Sequence, residues 1–215
     1  PVDAGAKPPA RIGQVQVVRD VALAHRQDRE PGLGARLHVG PHFDRIAQSF
    51  AEEFPTRTRH VVLQSSSGGP LASCAGEAPV SAAFDFRGAI LGLHDPIDPE
   101  SPFMIAWYTS TAPVDAEFLR RQRRDAAAIP AQVWLAILDQ ALDLSTLQAG
   151  LPKLRVPTLL IWGARDNLFG PRDRCSLRTA LPHARVHLFE QLGHNAYWED
   201  PAAVAAVINP FLSRR

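Results

Sequence analysis

Two residues with acid–base chemistry follow neighbouring apolar runs in the last third of the chain. Asp166 comes three residues after the run at 156–163, and His194 follows the run at 184–190. The 28 residues that separate them are enough for one loop, one helix and one strand. Two parallel strands would place both side chains at the same edge of a sheet. There the carboxylate can orient the imidazole, and the imidazole can take a proton from a nucleophile.

Strand and helix patterns alternate along the parts of the chain that would position this pair. The predicted elements are a helix at 15–30, a short strand at 35–39, an amphipathic helix at 43–54, strands at 60–63, 156–163 and 184–190, and a closing helix at 199–213. The helix at 43–54 is expected to stop before Pro55, because proline disfavours a helical residue in front of it. Such alternation predicts an α/β fold with a doubly wound parallel sheet.

The middle of the chain has a different pattern. Residues 65–112 are loop-rich and begin with three serines, Ser65 to Ser67, and two glycines. Residues 113–149 have helical periodicity that is interrupted at Ile129-Pro130, which predicts two or three helices.

The last third of the chain resembles that of α/β-hydrolase-fold enzymes. The matching features are the strand Pro157-Thr158-Leu159-Leu160-Ile161-Trp162-Gly163, Asp166 three residues after that glycine, the pair Gly193-His194, and Trp198-Glu199-Asp200-Pro201 at the start of the last helix. Residues 46–55 and 59–63 resemble the helix after the family's nucleophile elbow and the strand beyond it. Residues 113–119 and 129–134 resemble the helical cap of a bacterial subgroup. The resemblance covers roughly residues 15 to 213.

This resemblance implies an α/β-hydrolase-like parallel sheet with an inserted helical cap. We expect the first part of the core at 1–75, the cap at 76–150 and the second part of the core at 151–215. Only 39 residues precede Gly40, so the sheet is expected to be partial and to lack the family's first strands. The chain begins at Pro1 and its single methionine is Met104, which favours a fragment or a processed chain.

The nucleophile elbow departs from the family pattern. The family carries Gly-x-Ser-x-Gly at a sharp strand-to-helix turn, because the strained backbone there needs glycines. Here Gly40 matches the first glycine, His42 stands where the serine belongs, and Asp44 replaces the second glycine. We predict that residues 40–45 form this turn, with His42 near its apex and facing His194.

Three interpretations of this turn stay open. The chain is a non-catalytic relative, or a small insertion or deletion has altered an ordinary elbow, or another residue has taken over as nucleophile. Asp44 is the carboxylate within the turn, whereas His42 as nucleophile would suit phosphoryl transfer better than acyl transfer.

The family resemblance also assigns roles around the site. Asp166 would orient His194, His194 would be the general base and acid, and the main-chain N–H of Phe43 would be one oxyanion donor. A second donor, from an upstream His-Gly loop, is not found before Gly40. Ser65, Trp107 and Trp134 are candidate substrate-binding residues, although the two tryptophans could instead pack a cap on the core. The implied reaction is hydrolysis of an ester or carbon–carbon bond in a small apolar substrate, without a metal or organic cofactor.

The composition of the chain argues against several other classes of function. The chain has 215 residues, 46% of them hydrophobic, and a formal net charge of +1, which favours neither disorder nor nucleic-acid or membrane-surface binding. No apolar run approaches the roughly 20 residues of a membrane span, and no signal peptide is recognised. We therefore expect a cytoplasmic protein, and the family resemblance implies a small-molecule partner. The spacing of Cys74 and Cys175 predicts neither a disulfide framework nor a metal site, and the histidines lack metal-ligand spacing.

Overall fold

The computed structural model describes residues 43–68, 74, 85–142 and 149–213 of the chain. All of these residues fall in one unit, 37–215. The predicted helix at 15–30, the predicted strand at 35–39 and the first part of the predicted turn, residues 40–42, lie outside the described residues.

Three parallel strands form the sheet of the described chain: β1 (Val61–Gln64), β2 (Thr158–Gly163) and β3 (Arg185–Phe189), in the order β1-β2-β3. In the register of the sheet, Leu63 pairs with Leu160, and Leu160 pairs with Val186. All six residues of β2 are buried. A central strand of this kind needs apolar side chains on both faces, which explains its nearly continuous apolar sequence. The predicted α/β class and parallel sheet are confirmed.

Helices follow the strands and connect them. Their bounds, in chain order, are α1 (Phe43–Glu53), α2 (Phe86–Leu91), α3 (Pro102–Trp107), α4 (Ala116–Ala127), α5 (Ala131–Leu142), α6 (Pro171–Ala180), α7 (Ala196–Glu199) and α8 (Pro201–Leu212), with short 3-10 turns at Pro55–Arg57 and Leu151–Lys153. The predicted helix that stops before Pro55 is confirmed by α1, and the predicted break at Ile129-Pro130 is confirmed by the gap between α4 and α5.

Side-chain caps determine where several helices begin. The carboxylate of Asp115 accepts a hydrogen bond from the N–H of Phe118 at 2.7 Å and begins α4. Asp200 accepts from the N–H of Ala203 at 2.9 Å and begins α8, with proline at the next position. Each cap satisfies an N–H that has no acceptor within its own helix. Two short helices, α2 and α3, lie in the stretch that the sequence predicts as loop-rich, because a stretch of six residues carries little periodic signal.

Two apolar clusters cover the faces of the sheet. Leu160 and Trp162 belong to the first cluster, which includes residues of α1 and α6. Leu159 and Ile161 belong to the second, which includes residues of α7 and α8. The alternation along β2 therefore places helices on both faces, and the carboxyl end of each strand is left to lead into a loop.

A third apolar cluster lies in residues 85–142, called here the middle segment, which contains α2 to α5. Its buried members are Ile90, Ile97, Phe103, Met104, Ala126 and Trp134. The middle segment thus has an apolar core of its own, as expected of a helical cap. The predicted boundaries of 1–75, 76–150 and 151–215 stay a prediction.

Cys74 and Cys175 form a disulfide, with Cα atoms 5.7 Å apart. The prediction that these cysteines form no disulfide is wrong. The two residues are 101 positions apart in the sequence, so their spacing carries no local signal. The chain beyond β1 lies against α6, where a Cβ added to Gly68 would be only 2.5 Å from the main-chain nitrogen of Leu177. Cys175 lies in the same helix, two residues before Leu177.

Candidate active site

Asp166 and His194 lie together at the carboxyl edge of the sheet. Nδ1 of His194 is 3.1 Å from both carboxylate oxygens of Asp166. The Asp166 side chain is 0% exposed and that of His194 is 17% exposed. The predicted hydrogen-bonding contact between these two residues is confirmed. Their catalytic roles stay a prediction.

The loop after β2 holds the Asp166 carboxylate in place. Its Oδ1 accepts hydrogen bonds from the main-chain N–H groups of Leu168 at 2.8 Å and Phe169 at 2.9 Å. An aspartate bonded to N–H groups two and three residues ahead forms a local turn of its own. Arg174 of α6 donates to the carbonyl of Phe169 at 3.3 Å and thereby ties this turn to the helix behind it. The buried carboxylate is satisfied by its own loop and by His194.

The loop that carries His194 lies directly against the end of β2. Main-chain bonds join Ala164 to Phe189 at 2.8 Å and Arg165 to Leu192 at 3.0 Å. A Cβ added to Gly163 would collide with the carbonyl oxygens of Leu192 and Gly193. Glycine at 163 therefore lets the two loops approach closely enough for Asp166 and His194 to meet.

Ser65 supports the same loop from the other side. It follows β1 directly, is 4% exposed, and its Oγ donates a hydrogen bond of 2.5 Å to the carbonyl of His194. Its φ of 49° lies in the left-handed region, which a non-glycine residue rarely adopts. Ser65 was predicted as a substrate-binding residue. The structure gives its hydroxyl a supporting bond instead, and contact with a substrate stays a prediction.

The pairing defines the chemistry available to His194. A carboxylate only accepts hydrogen bonds, so Nδ1 carries a proton in this pair, and in the neutral imidazole Nε2 then keeps its lone pair. This is the tautomer of a general base in a nucleophile–His–Asp site. The ring of Phe169 packs on the imidazole, with centroids 5.5 Å apart, and so limits its movement.

The predicted nucleophile region is described only in part. His42 lies outside the described residues. Helix α1 begins at Phe43, so the N–H of Phe43 is among the first-turn donors that have no acceptor within the helix. Asp44 is the second residue of α1 and does not precede the helix. The roles of His42, Phe43 and Asp44 stay predictions.

Trp107 and Trp134 contact each other in the middle segment. Their ring centroids are 5.5 Å apart, and both rings lie within 5.5 Å of Phe103. Trp134 is 3% exposed, and its Nε1 donates to the carbonyl of Ala126 at 3.3 Å. This placement agrees with the alternative that the two tryptophans pack the helices. Contact with substrate stays a prediction for both.

Glu199 is part of the site's support and was not predicted as such. Its carboxylate accepts a hydrogen bond from the N–H of Gly193, next to His194, and others from Ser110 and Thr111 of the middle segment. The sequence motif contains Glu199, but nothing in the motif indicates these partners.

Neither a metal site nor a membrane span is found in the described part of the chain. No group of three or more His, Cys, Asp or Glu side chains there is arranged to hold a metal ion. Among the helices described, none has the length and apolar character that crossing a membrane requires.

The sequence and the fold match known proteins. Residues 45–201 match the model of the alpha/beta hydrolase fold family. A 2-hydroxy-6-oxononadienedioate/2-hydroxy-6-oxononatrienedioate hydrolase of Pseudomonas sp is 41% identical over 66 residues, which are 30% of this chain and 23% of the relative. The matched segment is therefore a minor part of that protein.

Two solved structures share the fold. A bacterial membrane phospholipase A superposes with a TM-score of 0.59 at 23% identity, over 97% of this chain and 65% of the other. An esterase from Exiguobacterium antarcticum superposes with a TM-score of 0.60 at 12% identity, over 79% of this chain and 64% of the other. The chain thus spans just under two thirds of these structures, and at such identities they show the fold alone.

Proposed function

Because this chain belongs to the alpha/beta hydrolase fold family, we propose that its site serves hydrolysis of an ester or carbon–carbon bond in a small apolar molecule by a nucleophile–His–Asp mechanism. The observation that carries the proposal is the bond between Nδ1 of His194 and the fully buried carboxylate of Asp166. The hydrolase name of the Pseudomonas relative supports the reaction class.

In this proposal His194 moves the protons. Nε2 accepts the proton of the nucleophile as the nucleophile attacks the substrate carbon, which makes the ring an imidazolium. Asp166 stabilises that cation and holds the ring in place. The imidazolium then gives the proton to the leaving group. In the second half-reaction, water loses a proton to Nε2 and attacks the covalent intermediate, and the imidazolium returns that proton to the nucleophile as it is released.

The mechanism needs a nucleophile, and the family's serine is absent from its expected position. His42 stands there. Ser65 does not fit the role, although it is close to His194. Its hydroxyl proton is engaged by the carbonyl of His194 and not by the imidazole. Asp44, the other residue considered as nucleophile, is the second residue of α1.

A second candidate function is favoured by the same position. Between Gly40 and Ser49 the sequence has no serine, and Asp44 replaces the second elbow glycine. This observation favours a non-catalytic relative that binds a ligand or partner without turning it over.

Hydrolysis of a short-chain activated ester separates the two candidates. The chain as given, His42→Ser and His194→Ala are compared with buffer alone. We expect at most slow turnover from the chain as given, because loss of the nucleophile removes the covalent route. We also expect no recovery in His42→Ser, because Asp44 still occupies the glycine position. Turnover that disappears in His194→Ala supports the hydrolase, and Asp44 is then the first residue to mutate. Equal rates in all three proteins and in buffer support the non-catalytic relative.

The partner and the cellular location are also proposals. A small-molecule partner follows from the proposed reaction, and the net charge of +1 gives no support to nucleic-acid binding. The cytoplasmic location that the sequence predicts is opposed by the Cys74–Cys175 disulfide, because disulfides persist mainly in oxidising compartments.

A further inference from the structure

The carboxylate of Glu199 joins two segments that are far apart in sequence. Its Oε2 accepts a hydrogen bond of 2.5 Å from the N–H of Gly193. Its Oε1 accepts from the hydroxyl of Ser110 at 2.6 Å, from the N–H of Thr111 at 3.1 Å and from the hydroxyl of Thr111 at 3.3 Å. Four donors converge on one side chain, one from the His194 loop and three from the middle segment.

The residue before Glu199 makes apolar contacts with the same part of the middle segment. The ring of Trp198 stacks on Tyr108 at 5.9 Å with an interplanar angle of 13°, and meets Phe118 edge-on at 5.6 Å. Burial among these side chains, with the carboxylate of Asp125 as a smaller contribution, raises the pKa of Tyr108. Helix α7 is therefore held against residues 108–118 by a polar contact and an aromatic one.

The main chain at Gly193 lies close to side chains of Thr111 and Glu199. A Cβ added to Gly193 would collide with the hydroxyl oxygen of Thr111 and would lie 3.0 Å from Oε1 of Glu199. Gly193 is buried and precedes His194 directly. Residues 110–111 and the peptide unit before His194 are thus joined through the side chain of Glu199.

We propose that Glu199 is a positioning residue, which fixes the His194 loop through Gly193 and couples it to Ser110 and Thr111 of the middle segment. This inference rests on the proposed function, because only a catalytic His194 needs an imidazole held in a defined position. A carboxylate suits the position because all four partners donate and it has only acceptor atoms. Glutamine would turn an amide N–H towards at least one of these donors.

The test compares Glu199→Gln with Glu190→Gln in the full chain. Glu190 is exposed and lies four residues before His194, so it provides the same chemical change without the convergent donors. Two NMR readouts are followed: exchange of the Gly193 amide hydrogen with solvent, and the signal of the His194 Nδ1–H proton. Neither readout requires turnover, so their outcome is separate from that of the ester assay.

We expect the Gly193 amide of Glu199→Gln to exchange roughly tenfold faster or more, because hydrogen bonds to charged groups are stronger than neutral ones. The His194 Nδ1–H signal should broaden or vanish, since the imidazole then moves relative to Asp166. Glu190→Gln should match the parent chain in both readouts. A folded Glu199→Gln chain with unchanged Gly193 exchange and an unchanged Nδ1–H signal would overturn the proposal.

A second variant tests the coupling even where Glu199→Gln does not fold. Ser110→Ala removes the shortest contact between the middle segment and Glu199 and changes neither group of the Gly193–Glu199 hydrogen bond. Faster exchange of the Gly193 amide in Ser110→Ala supports the coupling. Unchanged exchange in a folded Ser110→Ala chain contradicts it.

Discussion

The hydroxyl of Ser65 donates a hydrogen bond of 2.5 Å to the carbonyl of His194, 129 residues further along the chain. The bond joins the first and third strand ends of the described sheet across β2. Ser65 holds it with a φ of 49°, a conformation that costs a non-glycine residue about 1–2 kcal/mol. Unfavourable backbone conformations of this kind persist where the surrounding structure fixes them, and they cluster at functional sites.

Two replacements of Ser65 distinguish the contribution of its hydrogen bond to stability from the cost of its backbone conformation. We expect Ser65→Ala to lower the free energy of unfolding by about 1–3 kcal/mol, because it leaves the carbonyl of His194 without this donor and keeps the unfavourable φ. Ser65→Gly loses the same bond but tolerates the φ, so it should be the more stable of the two variants. Urea denaturation measures both, with Ser49→Ala on the exposed side of α1 as control. The interpretation fails if Ser65→Ala is as stable as Ser65→Gly.

Asp166→Asn should reverse the tautomer of His194 with little loss of structure. The asparagine Oδ1 still accepts from Leu168 and Phe169, while its amide group donates towards Nδ1, so the ring proton moves to Nε2. Nitrogen-15 chemical shifts of the imidazole report this directly, and the exposed Asp125→Asn serves as control. Any His194-dependent turnover should fall by about 10⁴, the loss seen for the same substitution in a serine protease. Retention of the proton on Nδ1 would contradict the assigned pairing.

Gly163→Ala tests the close approach of the two site loops. The added methyl group meets the carbonyl oxygens of Leu192 and Gly193, which belong to the main chain and do not move aside easily. We expect a loss of about 1–3 kcal/mol, typical of overpacking. Gly92→Ala is the matched control, since its added carbon lies 3.5 Å from the nearest atom, the carbonyl oxygen of Ala89. That control should be neutral or slightly stabilising in thermal denaturation, and equal effects of the two changes would argue against the steric explanation.

Loss of the Cys74–Cys175 disulfide should destabilise the chain by about 2–5 kcal/mol, because the bond closes a long loop in the unfolded state. Chemical denaturation of the parent chain with and without a reductant measures the effect. The Cys74→Ser, Cys175→Ser double variant should be as unstable as the reduced parent and should not respond to the reductant. A parent chain that is insensitive to reduction would show that the disulfide contributes nothing to stability.

Replacement of Glu52 by a neutral residue should raise the free energy of unfolding by an amount that depends on pH. Burial raises the pKa of its carboxyl, and the opposing effects of the hydrogen bond from Gln48 and the charge of Lys153 do not cancel this shift. The folded chain therefore binds a proton more readily than the unfolded chain, whose carboxyl has the ordinary pKa of 4.5. Folding with an ionised Glu52 is disfavoured above that pH, and this penalty disappears as the pH falls through both pKa values.

Glu52→Gln should accordingly stabilise the chain at pH 7 and lose its advantage below about pH 4.5. Urea denaturation over this pH range provides the measurement, with the exposed neighbour Glu53→Gln as control for the substitution itself. An advantage of Glu52→Gln that grows on acidification would have the wrong sign.

The sequence by itself determined the longer elements and the pairing of acid and base. The apolar run of β2, the end of α1 before Pro55 and the break between α4 and α5 follow from local composition and from the fixed backbone of proline. The meeting of Asp166 and His194 followed from one further rule, since the carboxyl ends of adjacent parallel strands share an edge of the sheet. These signals lie within single segments or between consecutive ones, so they can be recognised along the chain.

Only the tertiary structure decided which distant residues support the pair. The bond from Ser65 to His194, the bonds from Ser110 and Thr111 to Glu199 and the disulfide join residues 129, 88–89 and 101 positions apart. The bond from Ser65 goes with a positive φ that no periodic pattern specifies. A loop position is fixed by what packs against it, and its partners become visible only once the strands and helices are placed.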